Sequence, residues 1–243
     1  MGNENALMDF LMYSYWGFDS KMVTSENTDV IQYCARRAYL DLARTVKFKY
    51  STSRLDDMKK DSTLQDEAIE FENKKKDIIE KICISILNPV DVGDIKCTDE
   101  QFNSWHEKKC NEIKDKINNS DILKDSKSFT IGQAQKWVNM TLKYLWLLDM
   151  LPKGLSEKSL HVPIDSFILQ ALKEKVVDKI TGSGDDYKYD GCKWSALDYE
   201  KYKELQEEIK KIADKLNMTP IAWEGQAWIE VAKKRNNSKS QKK

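Results

Sequence analysis

Between positions 133 and 150 the apolar residues fall on two helical stripes instead of one. Ala134, Val138, Thr141, Leu145 and Leu148 lie on the first, and Trp137, Met140, Tyr144 and Leu147 on the second. A helix with one stripe rests on a core, whereas a helix with two must be surrounded by other elements. The stretch is therefore expected to be the central helix of an all-α, multi-helix globular protein. Thr130 followed by Gln133 has the spacing of a capping box at its start, in which two side chains satisfy backbone N–H groups that the helix leaves free.

The rest of the chain agrees with that class. Nine glycines and four prolines in 243 residues are too few for the turns of an all-β protein. Helical spacing predicts helices over 27–48 and 63–86, the latter closed by Pro89. Thr98 with Gln101 opens another, carrying Phe102, Trp105 and Ile113, and Pro163 opens one with Phe167, Ile168, Ala171, Leu172 and Val176. Ser195 with Asp198 begins the next, and Thr219–Pro220 begins a last helix ending near Lys234. Residues 51–61 read as a polar break, and 114–128 as a polar connector anchored by Ile117, Ile122 and Leu123. Short strands remain open around 91–97 and 187–192. A single domain over 1–243 is expected, with a possible division into 1–118 and 119–234 and a disordered basic tail, 235–243.

Composition narrows the function classes. Seven Trp and ten Tyr are too many for a disordered chain. A net charge of +0 argues against a protein that coats nucleic acid generally, although a local basic groove stays open. Five Cys without a C-x-x-C pair suggest neither a disulfide framework nor a zinc site. Two histidines, His106 and His161, are too few for a His-based centre, so no metal or cofactor is expected. The start of the chain lacks a basic segment ahead of an apolar run, and no run of about 18 apolar residues exists for a membrane span. The cytoplasm is expected by elimination.

The chemistry is concentrated in 130–173. Thr130-Ile131-Gly132-Gln133 stands at the entrance of the central helix, and Lys136 follows within it. Some thirty residues on, His161-Val162-Pro163-Ile164-Asp165 leads into the next helix. This arrangement resembles the core of the helix-hairpin-helix DNA glycosylases, nearest to the archaeal 8-oxoguanine branch, over about 130–234. Pro220-Ile221-Ala222-Trp223-Glu224-Gly225-Gln226-Ala227-Trp228 is similar in place and character to the closing helix of these enzymes.

The resemblance implies a helix-hairpin-helix core and a glycosylase with lyase activity on double-stranded DNA carrying a damaged base. In it Lys136 matches the nucleophilic lysine and Asp165 the catalytic aspartate. Gly132 and Gln133 match the region that meets the DNA backbone. Two departures stand out: the family's hairpin has two glycines where this chain has Gly132 alone, and the iron–sulfur cysteine pattern of some relatives is absent.

The residues read for themselves leave alternatives open. Lys136, Asn139 and Lys143 also fit the wet face of a helix. Asp165 also fits an acid favoured by the helix dipole. Trp137, Trp146, Trp223 and Trp228 fit core positions, and Glu224 fits either a surface or a cleft. The alternative function is a non-catalytic helical protein that binds nucleic acid or a protein partner on the same scaffold.

Overall fold

The amphipathic segments fold into α-helices joined by short turns, and the computed structural model describes residues 2–24, 29–87, 98–174 and 191–240. Among these the protein is all-α, with nine helices and no strand beyond a single bridge between Phe48 and Leu123. The possible strand at 91–97, the break at Pro89 and all but the last two residues of the possible strand at 187–192 lie outside the described residues.

Helix α1 spans Gly2–Trp16. It stops because Gly17 takes φ +86°, a left-handed conformation that favours glycine, and its N–H donates to Tyr13 O at 2.9 Å. Helix α2, Asp29–Ala43, buries Val30, Cys34, Ala35, Ala38 and Leu42 along one stripe. Helix α3 spans Thr52–Lys60 and α4 spans Gln65–Ser85. The expected polar break at 51–61 is thus a helix. Ser51 caps it, and Leu55 and Met58, three residues apart, reach a small core with Ala68, Phe71 and Ile122.

Helix α5, Asp99–Asn118, starts with the capping box formed by Thr98 and Gln101. It runs further than expected because Cys110, Ile113 and Ile117 continue its buried stripe. The connector 119–130 follows, pinned at its end by Asn118, whose amide bonds both N and O of Phe129.

Helix α6, Ile131–Leu147, carries the second capping box, Thr130 with Gln133. Its residues are buried almost continuously from Ile131 to Asn139. The most extensive helix pairing is α2 on α6. The alanines of α2 allow close approach, and Trp137 Nε1 donates to Ala35 O at 2.8 Å. This contact joins 1–118 to 119–234 through one core, which extends from Met12 to Val231.

Helix α7 spans Ser166–Lys173, α8 spans Tyr199–Lys215 and α9 spans Pro220–Ser240. The disordered tail expected from 235 is corrected: the helix continues to Ser240. Arg235 holds it there by donating to Gln170 Oε1 at 2.6 Å and Ser166 O at 2.8 Å while lying 3.9 Å over the Phe167 ring. No helix among the described residues is long and apolar enough to cross a membrane.

Candidate active site

The site begins with a piece of extended chain that has no sheet. Between the 3-10 turn Glu157–Ser159 and α7, Leu160, Val162, Pro163 and Ile164 are buried. Buried backbone must find partners, and here side-chain amides supply them. Gln206 of α8 accepts from Val162 N at 2.9 Å and donates to Val162 O at 2.6 Å. Gln135 of α6 accepts from Ile164 N at 3.2 Å and donates to Ile164 O at 2.9 Å. Pro163, between the two gripped residues, has no N–H to satisfy.

This segment delivers Asp165 to the start of α7 as its N-cap. Oδ1 accepts from Phe167 N at 2.8 Å and Ile168 N at 3.1 Å. Oδ2 accepts from Lys136 Nζ at 2.9 Å. Both side chains are largely withdrawn from water, 9% exposed for Lys136 and 14% for Asp165. The Lys136 ammonium also lies 4.9 Å from the centroid of the Trp194 ring. The wet-face reading of this part of α6 is thereby corrected, because Lys136 and Asn139 are both buried. The acid expected from the helix dipole stands one place earlier, as the N-cap of α7, and it makes the pairing as well, since each oxygen has its own work.

The pair opens on a cavity of about 520 Å³, within the about 300–1,000 Å³ range of small-ligand sites. Three helices furnish most of its wall by helical spacing. Arg37, Leu40 and Asp41 come from α2 and Arg44 from the turn that follows it, Lys136, Met140, Lys143 and Tyr144 from α6, and Glu224 and Trp228 from α9. Phe167 completes an aromatic side: its ring stacks on Trp228 at 4.6 Å and 22°. Trp228 keeps 38% of its surface exposed.

Two further ion pairs sit in this wall. Lys143 donates to Glu224, whose residue is 2% exposed. Burial pushes the Glu224 carboxyl above its ordinary range, and Lys143 offsets part of the rise. Glu224 is therefore an acid in a cleft. Arg37 pairs with Asp41 at 3.1 Å and lies 4.2 Å over the Tyr15 ring. Asp41 also accepts from the Tyr144 hydroxyl, which in turn meets Tyr15 OH at 2.9 Å. Burial, then the neighbouring Asp41, raises the Tyr144 phenol far above its usual range, so it stays a donor.

Gly132 and Gln133 are placed differently from the expected DNA contacts. Gly132 is buried, and its N–H donates to Leu197 O at 3.0 Å. A Cβ at this position would lie 2.0 Å from Trp194 O, so the glycine admits the 3-10 turn Trp194–Ala196. Gln133 completes the capping box and donates to Thr45 Oγ1 at 3.1 Å. Their polar groups are engaged inside the protein, because the Thr130 end of α6 is covered by that turn and not left open.

Sequence reasoning paired Lys136 with Asp165 but not Lys143 with Glu224 or Arg37 with Asp41. The available signal was positional. Lys143 is two turns from Lys136 on the same stripe, and Arg37, Leu40, Asp41 and Arg44 recur at the spacing of one helix face. Among the described residues no group of three or more His, Cys, Asp and Glu side chains is arranged to hold a metal ion. Comparison with family models, curated proteins and solved structures returns no match.

Proposed function

We propose that the protein is a DNA glycosylase with lyase activity that takes a damaged base, turned out of a duplex, into the cavity beside Lys136 and Asp165. The carrying observation is the buried 2.9 Å pair at the cavity wall. An ammonium and a carboxylate at one partly enclosed mouth match the needs of breaking a glycosidic bond. Positive charge develops on the sugar as the base departs, and a fixed anion opposes it. Asp165 is fixed by two backbone N–H groups and by Lys136.

The proposed steps balance as follows. The C1′–N electron pair leaves with the base, which takes one proton from the Lys136 ammonium. The amine so freed attacks C1′, forming a C–N bond. The sugar ring then opens, and a second proton passes from nitrogen to the ring oxygen. Lys136 keeps its last proton in a protonated imine, and Asp165 remains an anion throughout. The stacked Phe167–Trp228 rings and the neighbouring apolar side chains offer a planar base a wall to rest on.

The test is borohydride trapping on duplex DNA carrying single oxidised bases. A covalent adduct is expected with the unaltered protein and none with Lys136→Gln. Absence of both adduct and base release across a broad lesion panel overturns the reading. The closed α6 entrance, with Gly132 N–H engaged by Leu197 O, favours the second reading, a binding protein on a related scaffold. Salt-dependent duplex binding without base release is its signature.

A further inference from the structure

We propose that Gln135 is a positioning residue that sets the distance between Lys136 and Asp165; the assignment rests on the glycosylase reading above. Gln135 precedes Lys136 in α6, and Ile164 precedes Asp165. The Gln135 amide grips both polar atoms of the Ile164 main chain. The four residues thus form a closed ring. One side of it is α6, one is the extended chain, one is the Gln135–Ile164 double hydrogen bond, and the last is the Lys136–Asp165 contact. The extended chain has no strand beside it to fix its register, so the amide does that work.

The clamp is itself held. Gln135 is 0% exposed, its Nε2 donates also to Gly132 O at 2.9 Å, and Asn139 Nδ2 donates to its Oε1 at 3.1 Å. Those bonds fix which end of the amide faces which way. A donor at Nε2 and an acceptor at Oε1 are what Ile164 O and N require. A rotated amide would place like against like in a buried site.

Gln206 provides the internal control. It makes the same two-bond grip, is also buried, and holds Val162, three residues before Asp165 and on the far side of Pro163. Loss of Gln135 takes its partner from both Ile164 N and Ile164 O, whereas loss of Gln206 leaves Val162 N unpaired and Val162 O still bonded by Asn139 Nδ2 at 3.3 Å. Only loss of Gln135 frees the residue next to Asp165. A displacement of about 1 Å between reacting groups is enough to cost about a hundredfold in rate.

The experiment compares Gln135→Met and Gln206→Met in the full chain. Melting temperature, kcat and KM for base release are measured, and crystal structures of both variants report the Nζ–Oδ2 separation. Both variants should lose thermal stability, Gln206→Met the less because Val162 O keeps Asn139. Gln135→Met should lose about tenfold to a hundredfold in kcat with KM unchanged, and its Lys136–Asp165 contact should open. Gln206→Met should keep kcat within about twofold and keep the contact. If Gln135→Met does not fold, Gln135→Glu serves, since it retains an acceptor for Ile164 N but faces Ile164 O with an oxygen. Equal kcat losses in the two variants, or an unchanged Lys136–Asp165 contact without the Gln135 amide, overturn the assignment. Unaltered protein that releases no base overturns the glycosylase reading instead. The crystallographic comparison then still decides whether Gln135 holds the pair.

Discussion

Helix α6 carries two buried polar clusters, and they are built on opposite plans. Along one line, Gln135 and Asn139 enter a sealed network of neutral groups. Along the neighbouring line, Lys136 and Lys143 enter an open cavity as charges, each with its own carboxylate. In the sealed network every polarity follows from the backbone. Ile164 N fixes the Gln135 oxygen, so Asn139 must present its NH2 to that oxygen and its carbonyl to His106 Nε2 at 3.0 Å. An amide oxygen only accepts, so the hydrogen of the neutral His106 ring sits on Nε2. Tyr202 OH receives Asn139 Nδ2 at 2.9 Å and meets His161 Nδ1 at 2.7 Å. The amide nitrogens and oxygens of Gln135 and Asn139 are all engaged there. In the cavity, by contrast, the charges are held at a wall where a ligand can reach them. Satisfied neutral networks specify structure, while charges kept at a partly dry opening are poised for chemistry.

Acid should act on the two clusters with opposite signs, and this is the largest effect expected. Burial, with His161 a further cause, holds His106 well below the ordinary histidine range, and burial beside Lys210 pushes His161 down to about 3. Unfolded histidines take up protons near pH 6.5 while the folded ones stay neutral. Stability is therefore complete above that pH and is lost as pH falls below it, by about 1.4 kcal/mol per histidine for each pH unit. Two histidines bring the loss to about 4 kcal/mol at pH 5. Glu224 runs the other way. Its raised folded-state value means that lowering the pH through that value, towards the ordinary carboxylate range, protonates a buried acid and relieves its burial cost. Melting temperature against pH should fall steeply between pH 6.5 and 5, and Glu224→Gln should remove the opposing gain as the pH nears the ordinary carboxylate range. A flat profile across that window breaks the distinction between the clusters.

Removing one charge from the cavity should rank next. Lys143→Met leaves the Glu224 carboxylate without its hydrogen-bonded cation, in a residue 2% exposed. Breaking such a pair costs about 3 kcal/mol, most of it from the charge left behind. Adding Glu224→Gln should restore the larger part, because the orphaned charge is then gone. Denaturant unfolding of the two variants measures both numbers. Equal stability of the single and double variants would mean that Glu224 is already neutral, and the cavity would then be less charged than its geometry implies.

What could be read in the sequence was whatever repeats locally. Both capping boxes, at Thr98 and Thr130, are three-residue patterns, and the two stripes of α6 are visible in its own spacing. Lys136 and Asp165 were paired through the family resemblance, and the structure brings them together. What escaped depended on partners distant in sequence. Helix α3 offers only Leu55 and Met58 to a core whose other members lie at 68, 71 and 122. Gly132 looked like a backbone contact to DNA, but the reason for it is the 3-10 turn at 194–196, more than sixty residues on. Lys143 read as a solvated charge and Glu224 fitted either a surface or a cleft, and only the approach of α9 to α6 makes them a pair.

The smallest effect expected separates the cavity wall from the site's charges. Arg235 lies in what its composition marks as a solvated tail, yet it covers the Phe167 face turned away from Trp228 and bonds Ser166 and Gln170. Arg235→Ala removes those bonds and the ring contact, worth about 1–2 kcal/mol together at a part-exposed position. The loss should be local. Hydrogen exchange should speed up in the last turns of α9 and at the start of α7, and the stacked Phe167–Trp228 pair should lose order in near-ultraviolet circular dichroism. The Lys136–Asp165 pair, held by Gln135 and by the cap of α7, should be undisturbed, so borohydride trapping should survive while affinity for the base falls a few fold. A loss of trapping in Arg235→Ala would show that the aromatic wall and the ion pair move as one unit, and that the cavity is less modular than its separate anchors suggest.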